Sequence, residues 1–336
     1  LSLETKEIFK QQILNEKLKS KRKLKVKKLS NWIIPTAYYR QYRKIILIIL
    51  NKYIAITESI FPLLENWNKE VKSIKNDVYM MPMSSLDRIW NTKEEDEAWK
   101  YLQNDAWEEE LENINVNEYE KVFEEEKDSL KRTLLSMGVL ISLFNRNQWT
   151  KIVNQQFNFE PFIYEKWENS ILNFWVNRNV NLIKGLTDEY RKKIVDTILS
   201  ENAKGLSVSE LQTKLKSINK TFSDYRTNLI AKDQINKINN QLAEQRMRDA
   251  GIETYIWITS KDERVRPSHA VMENKLCRLD DPSLYSDDNG RTWKSRSSIG
   301  GVQLPPGEDI NCRCTSYANF ESLVNEINKT SENILG

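Results

Sequence analysis

Most apolar positions in the chain fall at helical spacing. Leu130, Leu134, Met137, Ile141 and Phe144 recur at steps of three and four, which places them on one face of a helix. Residues 32–75 carry Trp32, Tyr38, Tyr39, Tyr42 and an apolar run at 45–50. They predict one or two buried helices ending near Pro62. Residues 80–83, three methionines around Pro82, read as a loop. Residues 160–204 are helical in pattern again, and Gly205 falls where a helix stops. Ser207 and Glu210 then fit a capping box, with Leu206 and Leu211 as its hydrophobic staple. The helix they start runs through Leu215 and Ile218. A longer one is predicted from about residue 223 to 250, with Leu229, Ile230, Ile235, Ile238 and Leu242 inward and Gly251 as its cap.

After Gly251 the period changes. Tyr255 and Trp257 face one way and Thr254, Ile256 and Ile258 the other, so residues 253–260 predict a strand. Most of the turn signals lie between there and Cys314: Asn289-Gly290, Gly300-Gly301 and Pro305-Pro306-Gly307. The predicted fold is mainly α with a small C-terminal α+β module, long helices followed by a compact, loop-rich strand and helix domain. Its expected organisation is a basic segment at 1–30, a helical domain at 31–170, a helical region at 171–250, the α+β module at 251–318 and a tail at 319–336.

Composition supports this reading. Only 9 glycines and 8 prolines in 336 residues leave room for long helices, and 10 tryptophans and 13 tyrosines can fill a core. The net charge of +3 says little, but its distribution says more. Lys17, Lys19, Lys21, Arg22, Lys23, Lys25, Lys27 and Lys28 form a run with no acidic residue. Residues 94–128 hold fifteen acidic residues against Lys100, Lys121 and Lys127. Leu24, Val26 and Leu29 are too sparse to anchor the basic run. It reads as a solvated surface segment or as an arm on nucleic acid, since closely spaced cations release counterions from phosphates. The acidic stretch, with Trp99, Trp107, Leu111 and Tyr119, predicts helices with one buried face. Its other face serves solubility or a basic partner. The apolar run at 45–50 is too short to cross a bilayer, and no signal segment is evident. The expectation is a protein made in a reducing cytoplasm, with no membrane partner.

The chemistry-bearing residues gather late. The sole histidine, His269, and all three cysteines, Cys277, Cys312 and Cys314, lie in the α+β module. Imidazole and thiolate suit zinc, and structural zinc sites take four such ligands. The C-x-C spacing is tighter than the common C-x-x-C, Cys277 lies in no ligand motif, and a free cysteine is an ordinary small core residue. A zinc site, a metal-free module with buried thiols and a disulfide, which the C-x-C spacing would strain, all stand at this point. Enzyme readings are weak: one histidine excludes any site needing two, and there is no P-loop, dinucleotide fingerprint or nucleophile elbow. No small-molecule substrate is expected. Asp262, Glu263, Arg264 and Arg266 read as an ion-pair network that locks a loop.

The string from Tyr255 to His269, YIWITSKDERVRPSH, resembles the signature of the phage Mu F-like head-morphogenesis family. That family shows a Trp-containing strand, then D-x-R-V-R-x-x-H or D-x-R-V-C-x-x-C, a loop-rich insert, Pro-rich turns and N-C-R-C. The closure here runs from Pro305 to Asn311, Cys312, Arg313 and Cys314. The resemblance covers roughly residues 170–318. It marks Trp257, Asp262, Arg264, Arg266, His269, Asn311, Cys312, Arg313 and Cys314 as motif residues. Where many members have Leu-Asn-Gly or Leu-Asp-Gly after the histidine, this chain has Met272, Glu273 and Asn274 without the glycine. In members with C-x-x-C, the pair falls on Arg266 and His269, and with N-C-R-C that spacing resembles a zinc site. His269, Cys312 and Cys314 remain of that pattern, with Cys277 as a candidate fourth ligand. The resemblance implies a non-enzymatic minor head protein in the phage head near the portal. Its implied partners are portal, capsid and scaffold proteins, with packaged DNA close by. A toxin- or nuclease-type effector sharing the module would call for a catalytic domain beyond Cys314. A nucleic-acid-binding regulator would call for a recognition helix, and none is evident.

Overall fold

The computed structural model describes residues 2–20, 23–27, 32–59, 61–62, 105–161, 165–203 and 208–335. Lys21, Arg22, Lys28 and Leu29, the loop at 80–83, the stop and start signals at 205–207 and residues 94–104 of the acidic stretch lie outside them.

The helical periodicity produces long helices: α1 (Ser2–Ser20), α2 (Ala37–Ser59), α3 (Asp105–Phe157), α4 (Glu168–Ala203), α5 (Val208–Lys220) and α6 (Thr227–Asp249). On α3, Leu130, Leu134, Met137 and Ile141 are buried and Phe144 half-buried. Gly251, at φ +74°, ends α6. Its N–H bonds Arg248 O and the Ile252 N–H bonds Met247 O, the paired bonds of a Schellman cap. The predicted break before residue 223 is instead one π-helical turn, Thr221–Arg226, so α5 and α6 form a continuous rod. Arg43 explains how the wide turn is tolerated. It donates to Ser223 O at 3.0 Å, Asp224 at 2.8 Å and Thr227 Oγ1 at 3.2 Å, so the loosened backbone keeps a partner.

Five short strands follow: β1 (Thr254–Ile258), β2 (Leu276–Arg278), β3 (Leu284–Ser286), β4 (Lys294–Ser295) and β5 (Thr315–Ala318). They form one antiparallel sheet in the order β4-β3-β2-β1-β5. Two further helices are α7 (Pro267–Ala270) and α8 (Glu321–Leu335). α8 occupies the stretch expected as a tail. The Asn319 side chain accepts the Glu321 N–H at 3.1 Å as its cap, and Leu323, Val324 and Ile327 enter the core at helical spacing.

The chain forms two units. One comprises Leu1–Tyr42, Leu134–Asn177 and Leu229–Gly336, the other Arg43–Thr133 and Arg178–Asn228. They draw on separated stretches rather than following one another at boundaries near 30, 170 and 250, because helices as long as α3 and α4 supply residues to both.

In the first unit, Phe9, Ile13 and Leu14 of α1 pack with Trp32, Trp149, Phe157, Trp257, Phe320 and Leu323. Trp32 stacks on Trp149 with centroids 6.1 Å apart, and Phe157 meets Phe320 edge-on at 5.3 Å. The basic segment is therefore more firmly anchored than its sequence implied. Two side-chain amides grip its extended backbone. Asn328 exchanges two 3.0 Å bonds with the N–H and C=O of Leu24, and Gln156 holds Lys25 O at 2.8 Å and the Lys27 N–H at 2.9 Å. Lys17 is buried, which removes it from the candidate nucleic-acid contacts. Lys19, Lys23, Lys25 and Lys27 are exposed.

In the second unit, Ile46, Ile49, Leu50, Phe123, Ile183, Leu186, Ile194 and Leu215 are buried. A chain of hydroxyls crosses this core. Thr57 Oγ1 meets the Tyr119 and Tyr190 hydroxyls at 2.8 and 3.0 Å, and the Tyr190 hydroxyl donates to Asn219 Oδ1 at 2.8 Å. Burial raises the Tyr119 hydroxyl to about 12, so these groups stay neutral and hydrogen-bonded.

Candidate metal centre

The site grows out of β1. Its alternation turns Tyr255 and Trp257 inward, and both are buried. Beyond the strand, Lys261 takes a left-handed φ of +56°, and Asp262 accepts the Arg264 N–H at 3.1 Å. Pro267 then starts the single turn of α7, which sets His269 edge-on against Trp257 with centroids 5.9 Å apart. Asn274, at φ +61°, takes the left-handed conformation where the family's turn has glycine, and asparagine tolerates it. The turn is thus made without Gly.

The returning segment comes in on the other side of β1. Cys312, Arg313 and Cys314 lead into β5, whose Thr315 pairs with Ile258. In extended chain, alternate residues share a side. Cys312 and Cys314 are accordingly buried, while Arg313 turns the other way to a two-pronged pair with Asp262, one contact at 2.7 Å. Arg313 holds the Asp262 carboxyl well below the usual carboxylate range. Helix α6 fixes the entry of this segment: Asp233 Oδ1 accepts the Asn311 N–H at 2.7 Å, and Asn236 Nδ2 donates to Cys312 O at 2.9 Å. Asn311 itself is exposed, at φ +55°. Gly307, at φ +85°, lies so close to α6 that a Cβ would stand 2.3 Å from Asn240 Nδ2.

Three of the four candidate ligands meet. His269 Nδ1 lies 3.4 Å from Cys312 Sγ and 3.5 Å from Cys314 Sγ. All three ligand atoms lie within 4.8 Å of one another, on residues only 2–3% exposed. His269 Nε2 sits 3.0 Å from Asp309 Oδ2, and Arg266 Nη1 reaches the same oxygen at 2.7 Å. Arg266 Nη2 also bonds Ile310 O. Cys277 does not join the group. In β2 its register partner is Tyr255, and burial pushes its thiol up to about 11. Arg264 stays largely exposed, with a 3.5 Å contact to Asp262. The ion pairs around the loop thus run Asp262–Arg313 and Arg266–Asp309, and not among the four residues 262–266 alone.

Electrostatics make Cys312 the anionic sulfur. The neighbouring Cys314 thiol, then His269 and the Cys314 and Gly307 N–H groups, both 3.4 Å from Cys312 Sγ, hold Cys312 well below the ordinary thiol range. Cys314 is pushed up by its hydrogen bond with Cys312, by burial and by the charge on Cys312. The thiolate raises His269 above its usual value. Burial raises the Asp309 carboxyl, but the bonds from His269 and the Ile310 N–H and the charge of Arg266 outweigh it, so its value falls.

Sequence reasoning missed Asp309 and Arg296. Asp309 had a signal, an acid three residues before the cysteine pair. Arg296 had none. It is fully buried and donates to Leu284 O, Val302 O, Leu304 O and the Tyr255 hydroxyl at 3.0–3.3 Å, with its guanidinium 5.4 Å over Trp257.

A cysteine, a histidine and a carboxylate in series suit nucleophilic catalysis as well as metal binding. Both sulfurs sit on residues only 3% exposed. Residues 192–317, which contain the whole constellation, match the family model described as Phage Mu protein F like protein. The chain carries a Mu F-like segment. Two relatives overlap the chain in part. An uncharacterized protein of Haemophilus influenzae is 31% identical over 136 residues, 40% of this chain and 26% of that protein. An uncharacterized protein of Methanocaldococcus jannaschii is 28% identical over 112 residues, 33% of this chain and 16% of that protein. The chain therefore spans about a quarter or less of the length of these relatives. No solved structure matches. Among the described residues, no helix is long and apolar enough to cross a membrane.

Proposed function

We propose that this chain is a non-enzymatic assembly protein of a phage head, a minor head protein acting in head morphogenesis at the portal and inner capsid. The Mu F-like segment at residues 192–317 carries this reading. The buried constellation supports it, since its groups are spent on holding the module together. Capsid and scaffold proteins are the further partners. The protein is made in the host cytoplasm and ends in the virion head. Mass spectrometry of purified, DNA-filled heads tests the reading. The account expects peptides of the chain at low copy number in heads, and fewer in particles assembled without portal protein. Their absence from heads would overturn it.

The exposed Lys19, Lys23, Lys25 and Lys27, presented on a fixed backbone, support packaged DNA as a neighbour. Four phosphate contacts would make binding sequence-independent and weaken it about a hundredfold between 50 and 200 mM salt. Changing these four lysines to Gln should flatten that slope in a filter-binding titration. An unchanged slope would remove DNA from the account.

A further inference from the structure

We propose that His269 Nδ1, Cys312 Sγ and Cys314 Sγ hold a single zinc ion, with Asp309 fixing the imidazole from its far side and Cys277 taking no part. The proposal stands on the geometry of the module and is independent of the head-assembly reading.

The donor set is the first ground. Two sulfurs and an imidazole nitrogen from residues 43 and 45 positions apart converge on one point inside the protein. This is the chemistry zinc selects.

Distance is the second. Zinc–sulfur bonds of about 2.3 Å and a zinc–nitrogen bond of about 2.0 Å, at tetrahedral angles, put nitrogen and sulfur about 3.5 Å apart. The two separations here are 3.4 and 3.5 Å. Both nitrogen–sulfur separations already match those around a tetrahedral ion, and the two sulfurs lie within 4.8 Å of each other.

The third ground is what surrounds the donors. The Nε2–H of His269 donates to Asp309, which leaves the Nδ1 lone pair facing the sulfurs. Arg266 braces that carboxylate through the same oxygen. The N–H groups of Gly307 and Cys314 both point at Cys312 Sγ, a pair of donors suited to a thiolate and largely wasted on a thiol. Three protein donors leave one corner of the tetrahedron for a small ligand such as water.

The ion would act as a clasp. It joins α7 to the segment entering β5 and so closes the long polar stretch between them, where the strands are too short to do so by burial. Cys277, the fourth soft ligand of the sequence, faces Tyr255 and is a core thiol.

The full chain, purified without chelator, tests this by elemental analysis. About one zinc per chain is expected. Cobalt exchanged into the site should give tetrahedral d–d bands and sulfur-to-metal charge transfer from two thiolates. Cys312→Ser and Cys314→Ser should lose the metal, and Cys277→Ser should keep it. Asp309→Asn should weaken zinc affinity about 10- to 100-fold in a chelator competition. Since the cysteine variants test folding as well as binding, the wild-type stoichiometry and cobalt spectrum decide. Folded wild-type protein that holds no zinc and takes up no cobalt would overturn the proposal, leaving a metal-free thiolate–imidazolium pair. So would Cys277→Ser losing the metal as fully as Cys312→Ser.

Discussion

In the second unit the chain buries helix faces. Ile46, Ile49, Leu50, Phe123 and Ile194 line them, and the hydroxyl chain through Thr57 is buried in the same unit. The sheet module from Thr254 to Ala318 is built otherwise. Its strands are two to five residues long, and its order comes from side chains that grip backbone or one another: Arg296 on three carbonyls, Arg313 on Asp262, Asp309 on His269. A helix supplies its own hydrogen bonds and needs neighbours only for its apolar stripe. A loop-rich module has backbone groups with no regular partner and must find each one individually. Volume therefore governs the stability of one region, and specific polar contacts govern the other.

The largest expected effect breaks the polar side of this comparison. Arg296→Met keeps most of the bulk but removes the buried guanidinium that holds three carbonyls, and should cost about 4 kcal/mol in urea unfolding. A loss below about 1 kcal/mol would mean that the carbonyls find other donors. Ile46→Ala tests the opposite side. It leaves a cavity in the second unit and should cost about 3 kcal/mol, whereas an equally conservative polar change there should cost less. Thr57→Val is that change: it removes the hydroxyl shared by Tyr119 and Tyr190, with an expected loss of about 1–2 kcal/mol by the same measurement.

Acid should sharpen the contrast. The carboxyls of Asp262, Asp280, Asp281, Asp287, Asp288 and Asp309 are all held below their ordinary range. A lowered folded value contributes stability above the unfolded value of about 3.9 and loses it as pH falls through the folded value. Near-ultraviolet circular dichroism should therefore report loss of the packing around Trp257 below about pH 4, before far-ultraviolet helix signal declines. Simultaneous loss of both would count against region-specific clasps.

How much of this was legible beforehand follows the same division. Residues that act through periodicity were readable: the α3 stripe from Leu130 to Ile141, the shared face of Tyr255 and Trp257, the cap at Gly251. Residues that act through a distant partner were not. Gln156 and Asn328 stand in no motif, yet they fasten the basic segment across more than a hundred residues of sequence. Arg296 looked like any charged loop residue. The late cysteines and His269 drew attention by type and rarity, and three of the four do meet. Cys277 misled because nearness in sequence says nothing about strand register, and its register gives it Tyr255 as neighbour. The π turn at Thr221–Arg226 was hidden because its stabiliser, Arg43, lies nearly two hundred residues upstream.

Hydrogen exchange read by mass spectrometry on Arg296→Met tests the central claim most directly, since it reports each region separately. Amides between residues 254 and 318 should exchange about a hundredfold or more faster than in the wild type. Amides at 43–59 and 178–203 in the second unit should keep their wild-type protection. Equal acceleration in both regions, or unchanged protection across the sheet module, would contradict the account.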